Sequence, residues 1–198
     1  MALDKSQSVT AESANAWRQW LDEHHAQQEG IWLIIYKKDS GTPSVTYDEA
    51  VDEALCVGWV DSLPNKRDEE SYYQYFAPRK PKSNWSRVNK EKVARMLQAG
   101  KMSQGGLAAI EVAKANGAWT ALDAVENLEV PTDLAVALTE VPNAQRHWDA
   151  FPRSVKRGIL EWIMNAKRAD TRQKRVDETA RLAGENIRAN QWRQPKKK

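Results

Sequence analysis

Residues 79–101 hold eight basic side chains against one acidic, with Trp85 among them. Anion recognition draws on Arg or Lys charge, short polar donors and the free N–H groups of a helix start. This stretch supplies all three: Arg79, Lys80 and Lys82 carry the charge, and Ser83, Asn84, Ser86 and Asn89 carry hydroxyl or amide groups. The chemistry they point to is a pocket for a phosphate or a carboxylate. The simpler alternative is that Ser83, Ser86 and Asn89 cap a helix while the cations solubilise the surface. Upstream, Trp59 and Asp61 alternate onto one strand face, as Tyr73 and Tyr75 do on the next strand. An aromatic surface with one carboxylate would suit a planar or cationic group. Cross-strand packing, with Asp61 ending the strand, is the competing account.

Elsewhere the chemistry-bearing residues favour structural roles. His24 and His25 are adjacent, so on a helix they point about 100° apart and cannot clasp one ion together. With His147 they form no metal constellation, and no metal or other cofactor is expected. Cys56 lies in ALCVG among apolar neighbours, the setting of a buried, inert thiol. Asp48, Glu49, Asp52 and Glu53 are read as the solvated face of a helix, favoured near its N-terminus by the dipole. No P-loop, GxSxG, GxGxxG or pair of catalytic acids is present, so no catalytic residues are nominated.

Positioning these residues requires an α+β arrangement. Trp17, Trp20, Leu21 and His24 recur at the spacing of one helical face before Gly30. GIWLIIYKK is a strand, and Thr46 caps a helix through about Cys56 with Tyr47, Val51, Ala54 and Leu55 inward. Gly58 breaks that helix. WVDS and SYYQYFA form an antiparallel pair connected by SLPNKRDEE. Pro78 and Pro81 exclude regular structure from the next loop. A helix then runs from about Asn89 to Gly100 with Val93, Met96 and Leu97 inward, and Ser103 caps another. Beyond it the pattern is wholly helical: segments start near Thr132 and Pro142, a third carries Val155, Ile159, Trp162, Ile163 and Ala166, and a last one, opened by Asp170, carries Val176, Ala180, Ala183 and Ile187. The expected fold is therefore a small antiparallel sheet packed with helices in the N-terminal half, followed by an all-helical part.

Length and composition agree. At 198 residues, 41% hydrophobic and 29% charged, with nine Trp and one Cys, the chain is neither disordered nor a disulfide scaffold. No apolar run approaches membrane-spanning length, and the first twenty residues do not resemble a secretory signal, so a cytoplasmic location is expected. The net charge of +3 conceals alternating blocks. Residues 1–65 carry 4 basic and 11 acidic side chains, 66–101 carry 10 and 4, 102–151 carry 2 and 7, and 152–198 carry 14 and 5. Such blocks set local fields and hence partners without deciding the fold.

Three strings, GIWLIIYKKDSGTPSVTYDEAVDEALCVGWVDS, YFAPRKPKSNWSRVN and GILEWIMNAKRADTRQKRVDETARLAGE, resemble the YdeI/OmpD-associated, or bacteriocin-protection, proteins over nearly the whole chain. The resemblance implies an N-terminal α+β unit over 1–117 related to the YjbR/CyaY-like superfamily. It also implies a helical OmpD-associated unit over 118–190, with 191–198 left as a basic, flexible tail. It associates the chain with tolerance of bacteriocins and antimicrobial peptides, and it maps a binding surface onto Trp59, Asp61, Arg79, Pro81, Ser83, Trp85, Ser86 and Asn89. Tyr75 departs from the family pattern, which usually has Arg there. The leading expectation is a non-enzymatic binding or stress-protection module for an anionic small molecule or protein partner. Nucleic-acid binding through the basic blocks 79–101 and 153–188 is the alternative, and an enzyme using Asp61 with Arg79 is the second.

Overall fold

The computed structural model describes residues 5–27 and 29–191. It divides into two compact units, 1–121 and 122–198. The division falls later than the 117/118 boundary drawn from the sequence because Ala118 belongs to the first core and its carbonyl accepts from the Trp85 N–H at 3.2 Å.

In the first unit, β1 (Val9–Thr10), β2 (Ile31–Tyr36), β3 (Trp59–Lys66) and β4 (Ser71–Pro78) form a sheet of order β1-β2-β4-β3. The β2–β4 and β4–β3 pairs are antiparallel as expected, but β1, too short to leave a sequence signal, runs parallel to β2 and makes the sheet mixed. Strand β3 also outlasts WVDS: a register shift between Asp61 and Pro64 absorbs the proline, and pairing resumes through Lys66.

Helices α1 (Ala14–His24), α2 (Tyr47–Cys56), α3 (Arg87–Gln98) and α4 (Gln104–Ala115) complete the unit. Their starts are set by side-chain caps. Ser13, Thr46, Ser86 and Ser103 each accept from a backbone N–H of the first turn, and Thr46 with Glu49 forms a reciprocal capping box that holds the Glu49 carboxyl below its usual range. The core joins Leu33, Ile35, Phe76 and Trp59 of the sheet to Trp17 and Leu21 of α1, Leu55 of α2, Val93 of α3 and Ile110 of α4. Core indoles are anchored as well as packed: Trp17 Nε1 donates to the Ala50 carbonyl at 3.1 Å and Trp59 Nε1 to the His25 carbonyl at 3.0 Å.

The acidic face of α2 is not simply solvated. Glu53 is only 6% exposed and pairs with Arg18 at 3.1 Å and Lys101 at 3.4 Å. Asp52 accepts from Lys92 at 2.7 Å and pairs with Arg95 at 3.4 Å. Lys92 is itself 7% exposed, so an ionic seam ties α2 to α1 and α3 where a solvated face was expected. Leu97, expected inward, is 47% exposed because Lys92 takes the helix face beside Val93 and Met96. Tyr47 is likewise 42% exposed, lying at the first turn of α2 outside the apolar stripe.

The second unit contains α5 (Asp123–Glu126), α6 (Thr132–Glu140), α7 (Ala144–Ala150), α8 (Arg153–Met164) and α9 (Ala169–Gly184). Only α5, a single turn, escaped the sequence pattern. Leu134 and Leu138, Trp148, Ile159 and Ile163, and Val176, Ala180 and Ala183 make one core. Ala166 and Ile187 fall beyond the ends of α8 and α9. Residues 192–198, with the QPKKK segment, lie outside the described residues.

The end of α2 and the start of α4 meet in a close backbone contact. The Cys56 carbonyl accepts from both Ser103 N and Ser103 Oγ at 2.9 Å. A Cβ on Gly106 would stand 2.2 Å from that oxygen. Gly106→Ala, which would normally favour a helix, should instead cost about 2 kcal/mol or more. Lys92→Ala should cost about 3 kcal/mol by leaving Asp52 short of its buried partner. Urea denaturation of each variant measures both, and wild-type midpoints would refute the two assignments.

Candidate functional site

The site starts from Gly58. With φ at +84° it ends α2 in a conformation other residues adopt at a cost, and a Cβ there would meet the Gly105 carbonyl at 2.8 Å. The Gly58 carbonyl then accepts from Arg79 N at 3.0 Å, which carries the β3–β4 ladder one step further and sets the start of the proline turn. That turn is pinned at three points. Ser83 N donates to the Lys80 carbonyl at 2.9 Å, Asn116 Nδ2 to the Pro81 carbonyl at 2.7 Å, and Trp85 N to the Ala118 carbonyl. Ser86 Oγ accepts from Asn89 N at 3.2 Å and opens α3.

Because Gly58, Gly105 and Gly106 let α4 approach closely, its next turns face the proline turn across a pocket of about 160 Å³. Arg79, Lys80, Pro81 and Trp85 form one side; Ala108, Ala109 and Val112 form the other. The Arg79 guanidinium stacks 3.8 Å from the centroid of the Trp85 ring and donates from Nη1 to the Asn84 carbonyl at 3.0 Å. Its Nε is buried without an acceptor, and so is Nε1 of Trp85, a residue only 1% exposed. Burial pulls the Arg79 pKa down to about 10, partly opposed by the charge of Asp61. Among the described residues no carboxylate reaches ion-pair distance of it.

The expected site residues therefore divide. Arg79, Lys80 and Trp85 line the pocket, and Asn84 orients Arg79 through its backbone. Lys82 is exposed on the turn outside the pocket lining, Ser83 supports the turn, and Ser86 with Asn89 does the capping work that the simpler alternative gave them. Trp59 is 1% exposed and belongs to the core. Asp61 lies at the core-side edge opposite Phe76 and accepts from the Tyr47 hydroxyl at 2.7 Å. Burial and then that hydrogen bond push the Tyr47 pKa upward.

Tyr75 follows a different course. It neighbours Phe76 in β4 and so points to the other sheet face, where Trp32 packs edge-on against it at 5.0 Å and against Tyr73 at 5.9 Å. The aromatic surface that alternation suggested is thus split between two faces of the sheet. Missed from the sequence were Ala108, Ala109 and Val112, whose only advance signal was the Gly105-Gly106 pair, a sign of close backbone approach.

The remaining reactive groups are absorbed by packing. His24 stacks on Trp20 at 4.3 Å, His25 bonds the Leu21 carbonyl, and His147 bonds the Ala183 carbonyl at 2.7 Å. Much of the basic charge of the second unit is paired internally: Arg172 grips Asp133 through two bonds at 2.7 and 3.0 Å, and Arg157 spans Glu126 and Glu161. Arg181 pairs with Glu185, and Arg175 caps Trp162 by its carbonyl and ring.

An α+β unit carrying a small cationic pocket, and a separate helical unit, are the class that this geometry defines. Residues 9–109 match the family model described as Domain of unknown function (DUF8412), which covers half of the chain, and the chain belongs to that family. Residues 127–186 match the model described as Bacteriocin-protection, YdeI or OmpD-Associated, so the bacteriocin-protection resemblance holds for the helical unit; neither match carries the YjbR/CyaY-like relationship. No curated protein and no solved structure matches the chain.

Cys56 is fully buried, and burial, reinforced by Glu53, pushes its thiol up to about 11. In native protein it should react with a disulfide reagent at least ~100-fold more slowly than in urea, since the thiolate is the nucleophile. Rapid native labelling would show that the α2–α4 junction opens.

Proposed function

We propose that this chain is a non-enzymatic binding module of the bacteriocin-protection, stress-protective type, acting in the cytoplasm, whose N-terminal unit takes an anionic small molecule or the anionic group of a protein partner at the Arg79 pocket. The supporting observation is the Arg79 guanidinium, largely buried on Trp85 with one unmatched N–H and no carboxylate partner among the described residues. Taking a charge out of water without a counter-charge is unfavourable, and an anion in the adjoining pocket restores the balance. Lys80 adds a second positive charge at the same wall. An enzyme built on Asp61 draws less support, since its hydrogen-bond partner is Tyr47, a hydroxyl whose proton is held more tightly than usual. Nucleic-acid binding draws less support because many of the arginines it requires already have internal partners.

Binding only the folded state raises its stability, by about 2.7 kcal/mol when ligand stands at 100 times Kd. A panel of phosphorylated and carboxylated metabolites should therefore contain compounds that raise the melting temperature of the wild type and not of Arg79→Gln. Affinity should be level from neutral pH to about 9. A panel that leaves the melting curve unmoved, with a peptide or protein bound elsewhere on the molecule, would overturn the proposal.

A further inference from the structure

The sheet has a second face that the core does not use. Leu33, Ile35 and Phe76 turn toward the helices, so the alternate residues Trp32, Ile34, Tyr73 and Tyr75 turn the other way. Trp32 and Ile34 are buried there without belonging to either core. Tyr73 and Tyr75 flank the Trp32 indole edge-on, and the Trp32 and Tyr73 rings meet at 69° as two walls of a corner. Over that corner stands Lys5, whose Nζ lies 5.4 Å from the centroid of Trp32 and 5.0 Å from that of Tyr73.

Arg67 and Lys5 both reach this face, and they are balanced differently. Arg67 lies over Tyr36 at 5.8 Å and pairs with Asp68 at 3.1 Å. Lys5 has no carboxylate within ion-pair distance among the described residues, so the two ring faces are what hold its ammonium. It also lies outside the sheet ladder: pairing of β1 with β2 starts only at Val9, and Lys5 opens a turn in which its carbonyl accepts from Ser8 N at 3.2 Å. Moving one flexible side chain aside therefore uncovers the ring surface beneath Nζ.

The spacing suits a methylated nitrogen better than the bare one that fills it. A primary ammonium is compact and strongly hydrated, whereas aromatic corners recognise quaternary ammonium groups, which hold their water less tightly. A methyl carbon on a nitrogen at the Lys5 Nζ position, aimed at either centroid, would stand about 1.5 Å nearer the ring. That brings it to the ~3.5–4.0 Å of carbon–carbon contact with both walls, a gap that Lys5 leaves open.

We propose that the corner between Trp32 and Tyr73 is a binding site for a trimethylammonium group, and that Lys5 occupies it as an internal competitor which the ligand displaces. A free quaternary ammonium compound and a trimethylated lysine on a peptide present the same group.

Calorimetric titration of the full chain and of Lys5→Ala, at pH 7.5 and constant ionic strength, tests this with choline chloride, its neutral isostere 3,3-dimethylbutanol, and acetyl-trimethyllysine amide. Lys5→Ala should bind choline or the trimethyllysine at least ~fivefold more tightly than wild type does, and dimethylbutanol at least ~fivefold more weakly than that cation. Which of the two cations is tighter separates a free compound from a modified side chain, and either supports the proposal. Adding Tyr73→Leu to Lys5→Ala should abolish binding. If that double variant misfolds, the assigned Trp32 indole N–H resonance of Lys5→Ala is the readout, and choline should shift it. Absence of cation binding by folded Lys5→Ala, equal affinity in wild type and Lys5→Ala, equal binding of dimethylbutanol, or a Trp32 resonance that stays fixed would each overturn the proposal.

Discussion

The junction of Cys56 and Gly58 with the first turn of α4 governs the first unit. One carbonyl, that of Cys56, takes two hydrogen bonds from Ser103 while Gly106 passes it too closely for any side chain. Two residues on, the Gly58 carbonyl takes Arg79 N. A helix end, a helix start and a strand end are thereby held within a few ångströms by backbone groups and the Ser103 hydroxyl. This matters for function because backbone contacts leave little freedom to adjust: the same approach that satisfies the end of α2 places Ala108, Ala109 and Val112 across from Arg79 and Trp85.

Charge is buried in this unit in two different ways. Lys92, Asp52, Glu53 and Arg18 leave water together, each beside an opposite charge, and the seam they make joins three helices. Such a seam holds register more than it adds stability, since desolvation offsets much of the attraction. Arg79 is buried otherwise, with an aromatic face and a carbonyl as its compensation. A cation over Trp is stabilised, yet less than by a carboxylate. The contrast between the matched seam and the unmatched guanidinium, within one small core, is what distinguishes the pocket from the general ionic fabric of the molecule.

In the helical unit the same physics runs toward self-sufficiency. The strongly basic count of residues 152–198 suggested a surface seeking an anionic partner, but Arg157, Arg172 and Arg181 each meet a carboxylate within the unit, and Arg153 reaches the Glu126 carbonyl. Charge counting along a chain cannot register pairings such as Arg172 with Asp133, which lie far apart in sequence and on different helices.

Local rules made much of the architecture legible. Helix starts at Thr46 and Ser103, the long apolar strand before Tyr36, and the break at Gly58 follow from side-chain chemistry and periodicity within a few residues, and the sequence alone determined them. It also determined that cationic residues, short polar groups and Trp85 would crowd one turn. What only the tertiary structure decided was which of those residues share a space. Strand alternation specifies that Trp59 and Asp61 share a face but not that Tyr75 takes the other one, because that depends on register with a strand more than ten residues away. The burial of Lys92 and Glu53, and the arrival of α4 over Arg79, depend likewise on contacts between segments distant in the chain. Periodicity reports which side of an element is apolar, whereas a binding pocket depends on which element comes to stand opposite.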